Sequence, residues 1–527
     1  MIRVLFRAPP AVRDSYRFRG AAGPVAWPRE DGVGLGPPGA WNFFWRLGAR
    51  PRRVSAEAAE DVPADGILVA IAERENDRAL ATLVERWHAR GNWIIAAGTP
   101  SAFPLLPAGA EVRRSPYPYA ALAYRLAGRT EIMAPPAGEF ARWQGPAGEG
   151  ELVALGGERQ SPERALALPL AAPAIVASER FLYLNANPFA AFQSWLQGQS
   201  DLGPWLGWRP RLHWLDEHVA ALWRMLLRHV PPLANLQRPG VPGLGATTVV
   251  LRHDLDYSRD TTYLDLALAR RMPASYAVLR DRNRRFWTRR LARAEGIECC
   301  FHYNTMDRTA ELASELGRRA RRFIGHQAPP PALKPGLGDI VGAGLRRQVT
   351  KARAAGIGIA TLHRHGAFLV YPEWIDALDA TLAEFPDILG SSSLFRGIVL
   401  RWGARRVDGG GGTLFDFPEA GFPLWFPFKL ARADSGLALR GWESTHIAES
   451  EPGLVAQLLY HRIPELPQRV VTLSYHPYHA ARPTFCALGS RAWFAEILDL
   501  IAERKIEALA LAEVYARVER AAAADAD

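Results

Sequence analysis

The sequence predicts an α/β protein in two parts, a parallel-sheet domain followed by a distorted (β/α) barrel. Three observations carry that expectation. Short apolar runs alternate with stretches of helical spacing, the signature of βαβ units and a parallel sheet. A segment dense in Pro and Gly, His229 to Thr248, interrupts the alternation near the midpoint. Beyond it, polar residues recur at the carboxyl ends of successive strands, where barrel-type α/β folds place their chemistry.

The elements follow in order. In the first part, Gly66 to Ile71 reads as a buried strand, Ala79 to Ala89 as a helix, and Asn92 to Ala97 as a second strand closed by Gly98-Thr-Pro100. Arg180 to Asn185 is a further strand, and Glu217 to Arg228 a closing helix. The expected boundaries are residues 1–235 for the first domain, 236–247 for a linker and 248–520 for the second domain. In that domain, the apolar strand beginning Val249-Val250-Leu251 runs through Arg252-His253 into Asp254-Leu255-Asp256. Helices are expected at Tyr263 to Arg271, Phe286 to Glu295, Thr309 to Phe323 and around Leu345 to Ala355. Strands are expected at Ala274 to Leu279, Gly296 to Phe301 ending at His302, Gly358 to Leu362 ending at His363, and Val470 to Ser474 ending at Tyr475-His476-Pro477. Gly409 to Gly412 reads as a loop tip, without the strand-to-helix context a phosphate cradle needs.

At 527 residues, with 48% hydrophobic and 22% charged residues, the chain is long enough for two or three cored domains. Its net charge of +10 raises nucleic acid as a partner. Lys occurs only at 334, 351, 429 and 505, however, and the Arg residues are scattered or, as at Arg318-Arg319 and Arg321-Arg322, on a helix-like stretch with the pattern of a solvated face. No nucleic-acid partner is expected. Three cysteines, Cys299, Cys300 and Cys486, cannot frame a disulfide network and suit a reducing setting. The N-terminal apolar run is too short for a signal peptide, and no window has the roughly twenty apolar residues of a membrane span. A cytoplasmic protein is the expectation.

Asp254 and Asp256 are spaced i, i+2, so in extended backbone they share a face, which suits a metal ligand beside a general base. Asp is also common where a strand turns into a loop, and a lone strand-end histidine is more often structural than a ligand. Four successive strand ends carry such groups: Asp254 with Asp256, His302, His363 with His365, and His476. A mixed Asp/His set suits zinc or another first-row divalent ion, with positions left for water and substrate.

Over residues 247–515 these motifs resemble the polysaccharide deacetylase family, the NodB-homology carbohydrate esterases of family 4. His253-Asp254-Leu255-Asp256 is similar to its first motif, Glu298-Cys-Cys-Phe-His302 to the start of its second, Leu362-His-Arg-His-Gly366 to a later His-containing segment, and Leu473-Ser-Tyr-His-Pro477 to its closing motif. The resemblance implies a deacetylase-type barrel in which Asp254 is the base, Asp256 and His302 ligate the metal, and His476 is the acid. It departs from the family at Met306, where a second metal histidine would stand. His365 is favoured over His363 as the replacement. The other is left to orient substrate or support the site, and Arg364 points away unless the strand has already ended there, in which case it is a candidate for support or substrate contact. Glu298 and Trp442 are further candidates for support or substrate contact. Residues 1–230 loosely resemble the class I glutamine amidotransferase-like fold, whose working enzymes need a cysteine nucleophile that this half lacks. That implies a domain that scaffolds, dimerises or binds ligand.

The implied activity is metal-dependent N-deacetylation of an amino-sugar compound or glycan. The rival reading is a catalytically impaired deacetylase fold serving as a carbohydrate-binding or scaffold module, with Met306 in its favour. A hydrolase of another amide or ester is the third. Trp402, Trp425, Phe426, Phe428 and Trp442 cluster before the last motif and could stack on sugars, although packing is their commoner use. Asp434, Glu443, His446, His326 and His479 are left undecided by spacing.

Overall fold

The structure is a computed structural model. It describes residues 1–6, 36–55, 65–73, 77–114, 121–126, 129–134, 139–143, 148–156, 166–196, 214–237, 240–280, 282–304, 337–365, 373–393, 395–402, 405–410, 426–431, 438–448, 452–460, 462–481 and 491–524. The expected helix Thr309 to Phe323, together with Met306, His326, Trp425 and Asp434, lies outside them. The chain divides into two compact units, Met1–Arg238 with Ala431–Ala438, and Pro239–Leu430 with Leu439–Asp527.

The first unit is built on a six-stranded sheet in the order Ile175–Ser178, Phe181–Leu184, Trp93–Gly98, Ile67–Ala72, Ile2–Phe6, Arg52–Ser55. All neighbours are parallel except the first pair. The central Ile67–Ala72 strand, ILVAIA, is buried at every position, as expected of a strand covered on both faces. Helix Arg78–Ala89 connects it to Trp93–Gly98. Asp77 caps the helix by accepting from the Leu80 amide at 3.0 Å, and Leu80, Leu83, Val84 and Trp87 form its buried stripe. This is the βαβ unit expected from sequence, shifted by one residue. A four-stranded antiparallel sheet, ordered Leu166–Pro169, Glu151–Gly156, Ala121–Leu126, Arg129–Ala134, accompanies it.

The second unit carries one long sheet, an open, distorted barrel. Its order is Arg405–Gly410, Phe395–Trp402, His446–Ala448, Arg469–Tyr475, Thr247–Asp254, Ala274–Leu279, Ile297–Asn304, Thr361–His365, Gly390–Ser391, Trp442–Glu443. Every pairing along it is parallel except that of Arg405–Gly410. Glu507–Ala508 joins the start of Thr247–Asp254. Helices Thr262–Ala269, Arg284–Leu291, Leu337–Ala354 and Glu373–Glu384 follow successive strands. Thr247–Asp254 and Arg469–Tyr475 are buried throughout. Gly409 and Gly410, the first half of the expected loop tip, are strand residues facing Ile398 and Gly397 in antiparallel pairing, and residues 411 and 412 lie outside the described residues.

Because the strands run parallel, the carboxyl ends of Thr247–Asp254, Ile297–Asn304, Thr361–His365 and Arg469–Tyr475 gather at one edge. Register fixes the neighbours. His302 lies beside His363, Asn304 beside His365, and His253 beside Tyr475.

Candidate metal centre

Asp256, His302 and His365 bring one donor atom each to a common point. His302 Nε2 lies 3.0 Å from His365 Nδ1 and 3.3 Å from Asp256 Oδ1, and His365 Nδ1 lies 2.9 Å from Asp256 Oδ1. A tetrahedral ion with bonds of about 2.0–2.1 Å separates its ligand atoms by roughly 3.3 Å, close to these spacings. Asp256 Oδ1 is buried and meets neither imidazole in hydrogen-bonding geometry. Three donor atoms facing one another, two imidazole nitrogens and a buried carboxylate oxygen, fit a divalent cation, and the N,N,O set suits zinc.

The two aspartates reach the site differently from the extended pair expected. The strand ends at Asp254, and Asp256 stands in the following turn with φ +41°, in the left-handed region where Asp is better tolerated than most residues. Between them Leu255 is fully buried, its amide donating to the Ala277 carbonyl at 3.1 Å. That anchor forces the turn and swings Asp256 toward His365. Burial pushes the Asp256 carboxyl up, but the pull of His302 and His365 outweighs it and leaves it well below the usual carboxylate range.

Asp254 is 5% exposed and held by Arg252, whose Nη2 donates to both carboxylate oxygens at 2.8 and 2.7 Å. Arg252 stands two residues earlier on the same strand, hence on the same face. Two further donors go to imidazoles: Nε to His363 Nδ1 at 2.6 Å and Nη1 to His446 Nδ1 at 2.7 Å. A guanidinium only donates, so both Nδ1 atoms accept and both rings are neutral. Burial first, then the Arg252 charge, pushes His363 down to about 3 and His446 well below its ordinary value. Burial pushes the Asp254 carboxyl up, yet Arg252, and after it His302, hold it well below the usual range. His302 Nδ1 lies 3.5 Å from Asp254 Oδ1 without meeting it in hydrogen-bonding geometry.

His476, a quarter exposed, places Nε2 3.9 Å from Asp254 Oδ2 and 3.7 Å from Asp256 Oδ2. Of the histidines on Thr361–His365, His365 belongs to the donor cluster and His363 to the Arg252 network. Arg364 lies on the opposite side, its Nη2 donating to the Ser393 carbonyl at 3.2 Å. Glu298 accepts from Ser275 Oγ and Thr361 Oγ1, both at 2.6 Å, and from the Ala512 amide at 3.0 Å, tying two strands to the start of helix Leu511–Ala523. Trp442 is 2% exposed, donates to Glu519 Oε2 at 2.6 Å and lies under Lys429, a packing role. Glu443 is buried as well, accepting from the Ser393 amide and the Ser391 hydroxyl. His253 faces away, stacked on Tyr276 with ring centroids 4.5 Å apart.

Sequence reasoning missed Arg252 and left His446 undecided. The i, i+2 spacing of Arg252 and Asp254 was available as a signal. His446 comes from a strand far along the chain, and no local pattern announces its partner.

No protein-family model matches the sequence, and neither does any curated protein sequence. Among solved structures, α-L-fucosidase isoenzyme 2 from Paenibacillus thiaminolyticus is similar over 42% of this chain at 15% identity, with a TM-score of 0.29, and this chain covers 32% of its length. A protein described as a polysaccharide deacetylase involved in O-antigen biosynthesis, from Bordetella bronchiseptica, is similar over 48% of this chain and 90% of its own, at 12% identity and a TM-score of 0.27. A carbohydrate esterase family 4 pseudoenzyme from Bacillus anthracis is similar over 52% of this chain and 67% of its own, at 10% identity and a TM-score of 0.27. No helix among the described residues is long and apolar enough to cross a membrane.

Proposed function

We propose that the second unit is a metal-dependent hydrolase, with zinc as its metal, that removes the N-acetyl group from an amino-sugar compound. The observation that carries this reading is the convergence of Asp256, His302 and His365 to donor spacings of 2.9–3.3 Å beside a second carboxylate and a part-exposed histidine. The amino-sugar substrate follows the resemblance of the four strand-end motifs.

When bound by these three residues, a divalent ion supplies Lewis acidity to the amide carbonyl and to water. Asp254 accepts the proton of the attacking water. Arg252 serves it by keeping the carboxylate ionised and fixing its angle, at some cost in basicity. His476 Nε2, within 4 Å of both carboxylates, hands a proton to the amide nitrogen as the C–N bond breaks, which an amine leaving group requires. Water adds to the carbonyl carbon, and acetate and the free amine depart. His363 and His446, buried and neutral, hold Arg252 and take no proton.

The second reading, a binding or scaffold module, has Met306 in its favour. What supports the enzyme reading against it is His365, whose Nδ1 lies 2.9 Å from Asp256 Oδ1 and offers a third donor. The test is zinc analysis of purified full chain together with acetate release from N-acetylglucosamine oligosaccharides, with Asp254→Asn and His476→Ala as controls. About one zinc per chain and acetate release lost in both variants is the expected result. A chain that takes up no zinc, or releases acetate equally well in both variants, ends the proposal.

A further inference from the structure

Two tyrosines beside the metal centre keep much of their rings exposed. Among the described residues only six large hydrophobic side chains are exposed, and two of them, Tyr257 at 60% and Tyr478 at 40%, stand within two residues of a site residue. Tyr257 stands next to Asp256, and its ring meets His365 edge-on with centroids 6.1 Å apart. Tyr478 stands two residues after His476, and the two rings lie 5.4 Å apart. His365 and His476 approach different oxygens of Asp256, and each has one of the two tyrosine rings beside it.

The Tyr257 backbone is firmly fixed. The Ser258 amide donates to the Leu255 carbonyl at 2.9 Å, Asn283 Nδ2 to the Tyr257 carbonyl at 2.6 Å, and Trp287 Nε1 to the Ser258 carbonyl at 2.8 Å. Asn283 and Trp287 are themselves buried, and Asn283 Oδ1 accepts from Arg259 Nε at 2.7 Å. A rigid turn that presents an aromatic ring to water gives up the burial such a ring normally provides, and exposed aromatic area beside a reactive centre marks a place where a ligand completes the packing.

We infer that Tyr257 and Tyr478 are substrate-binding walls that take the apolar C–H faces of a pyranose ring and hold its acetamido group at the metal centre. The inference deepens the hydrolase reading and rests on it for the position of the acetamide. A flat, rigid wall suits a six-membered sugar ring, whose axial hydrogens make an apolar face, better than a flexible acyl or peptide chain, because neither partner loses rotamer freedom on stacking.

The test is calorimetric titration of chitotetraose, four linked N-acetylglucosamine units, into the full chain stripped of metal so that turnover does not intervene. Wild type is expected to bind. Tyr257→Ala and Tyr478→Ala are each expected to weaken binding about tenfold, and Tyr→Phe at either position about twofold or less, since the ring face and not the hydroxyl makes the contact. Retained zinc affinity and an unchanged far-UV circular dichroism spectrum in the variants check that they fold. Absence of binding by wild type, or alanine variants within twofold of it, overturns the inference. Sugar binding that depends on the tyrosines without acetate release by the zinc-loaded chain would sink the hydrolase reading and leave the walls standing. Acetate release with tyrosine-independent binding would do the reverse.

Discussion

Replacing Arg252 by Met removes the one guanidinium that joins three buried groups. Met fills much of the volume, so the effect is electrostatic before it is steric. The Asp254 carboxylate, 5% exposed, loses both contacts from Nη2, and the acceptors His363 Nδ1 and His446 Nδ1 lose their donors. Breaking a buried ion pair by removing one partner costs about 3–5 kcal/mol. Each stranded imidazole acceptor adds about 1 kcal/mol at the low end of its range. Protonation of Asp254 relieves part of this, leaving a net loss of about 4–5 kcal/mol. Since 1.4 kcal/mol is a factor of ten, protection of the central-strand amides should fall by roughly a thousandfold. Hydrogen exchange read by mass spectrometry on peptides spanning Thr247–Asp254 measures this, and peptides from Ile67–Ala72 in the other unit are the internal control. Adding Asp254→Asn to the Arg252→Met background removes the stranded charge and should restore about half the loss, a coupling that a double-mutant cycle isolates. A fall below about tenfold, or independent effects of the two substitutions, would refute the idea that Arg252 neutralises Asp254.

Other outcomes follow from the same geometry. His365→Ala and Asp256→Ala should each lower zinc affinity by about a hundredfold or more, while His363→Gln should lower it far less; equilibrium titration against a zinc-competing dye separates them. In metal-free protein, stability should fall as pH drops. The folded pKa values of His363 and His446 lie below the ordinary 6.5, so their neutral forms support the fold fully above about pH 6.5 and progressively less beneath it, with Asp254 adding its own loss at still lower pH. A urea midpoint for the second unit that is the same at pH 7 and pH 5 would contradict this. In the first unit, Asn185 is fully buried and bonds the Ala141 amide and carbonyl at 2.8 and 2.7 Å and the Pro173 carbonyl at 2.7 Å, so Asn185→Ala should destabilise that unit by about 2–4 kcal/mol, measured by exchange of its amides.

Much of this architecture was legible along the chain because its signals are local. Ala274–Leu279 was readable to the residue, and Arg78–Ala89, Trp93–Gly98 and Arg469–Tyr475 within one, since apolar runs between Gly, Pro and helical stretches leave few alternatives. The reading failed where pairing or turn geometry overrode composition. Gly409 and Gly410 look like a loop and lie in a strand, because the antiparallel partner supplies hydrogen bonds to their backbone. Asp256 looks like the end of a strand and stands in a left-handed turn, because burial of Leu255 takes the chain off its extended course.

What the sequence by itself determined is the alternation of strand and helix and the placing of Asp254, His302, His365 and His476 at strand ends. Parallel strands must return to the same edge of the sheet, so residues at their carboxyl ends become neighbours whatever lies between. Tertiary structure alone decided which of those neighbours share a point. The register of Ile297–Asn304 against Thr361–His365 sends His365 to Asp256, while Arg252 draws His363 and His446 inward, away from the donor cluster. Distances of 3 Å between side chains separated by 63 to 194 residues are set by packing, and no local pattern in the chain encodes them.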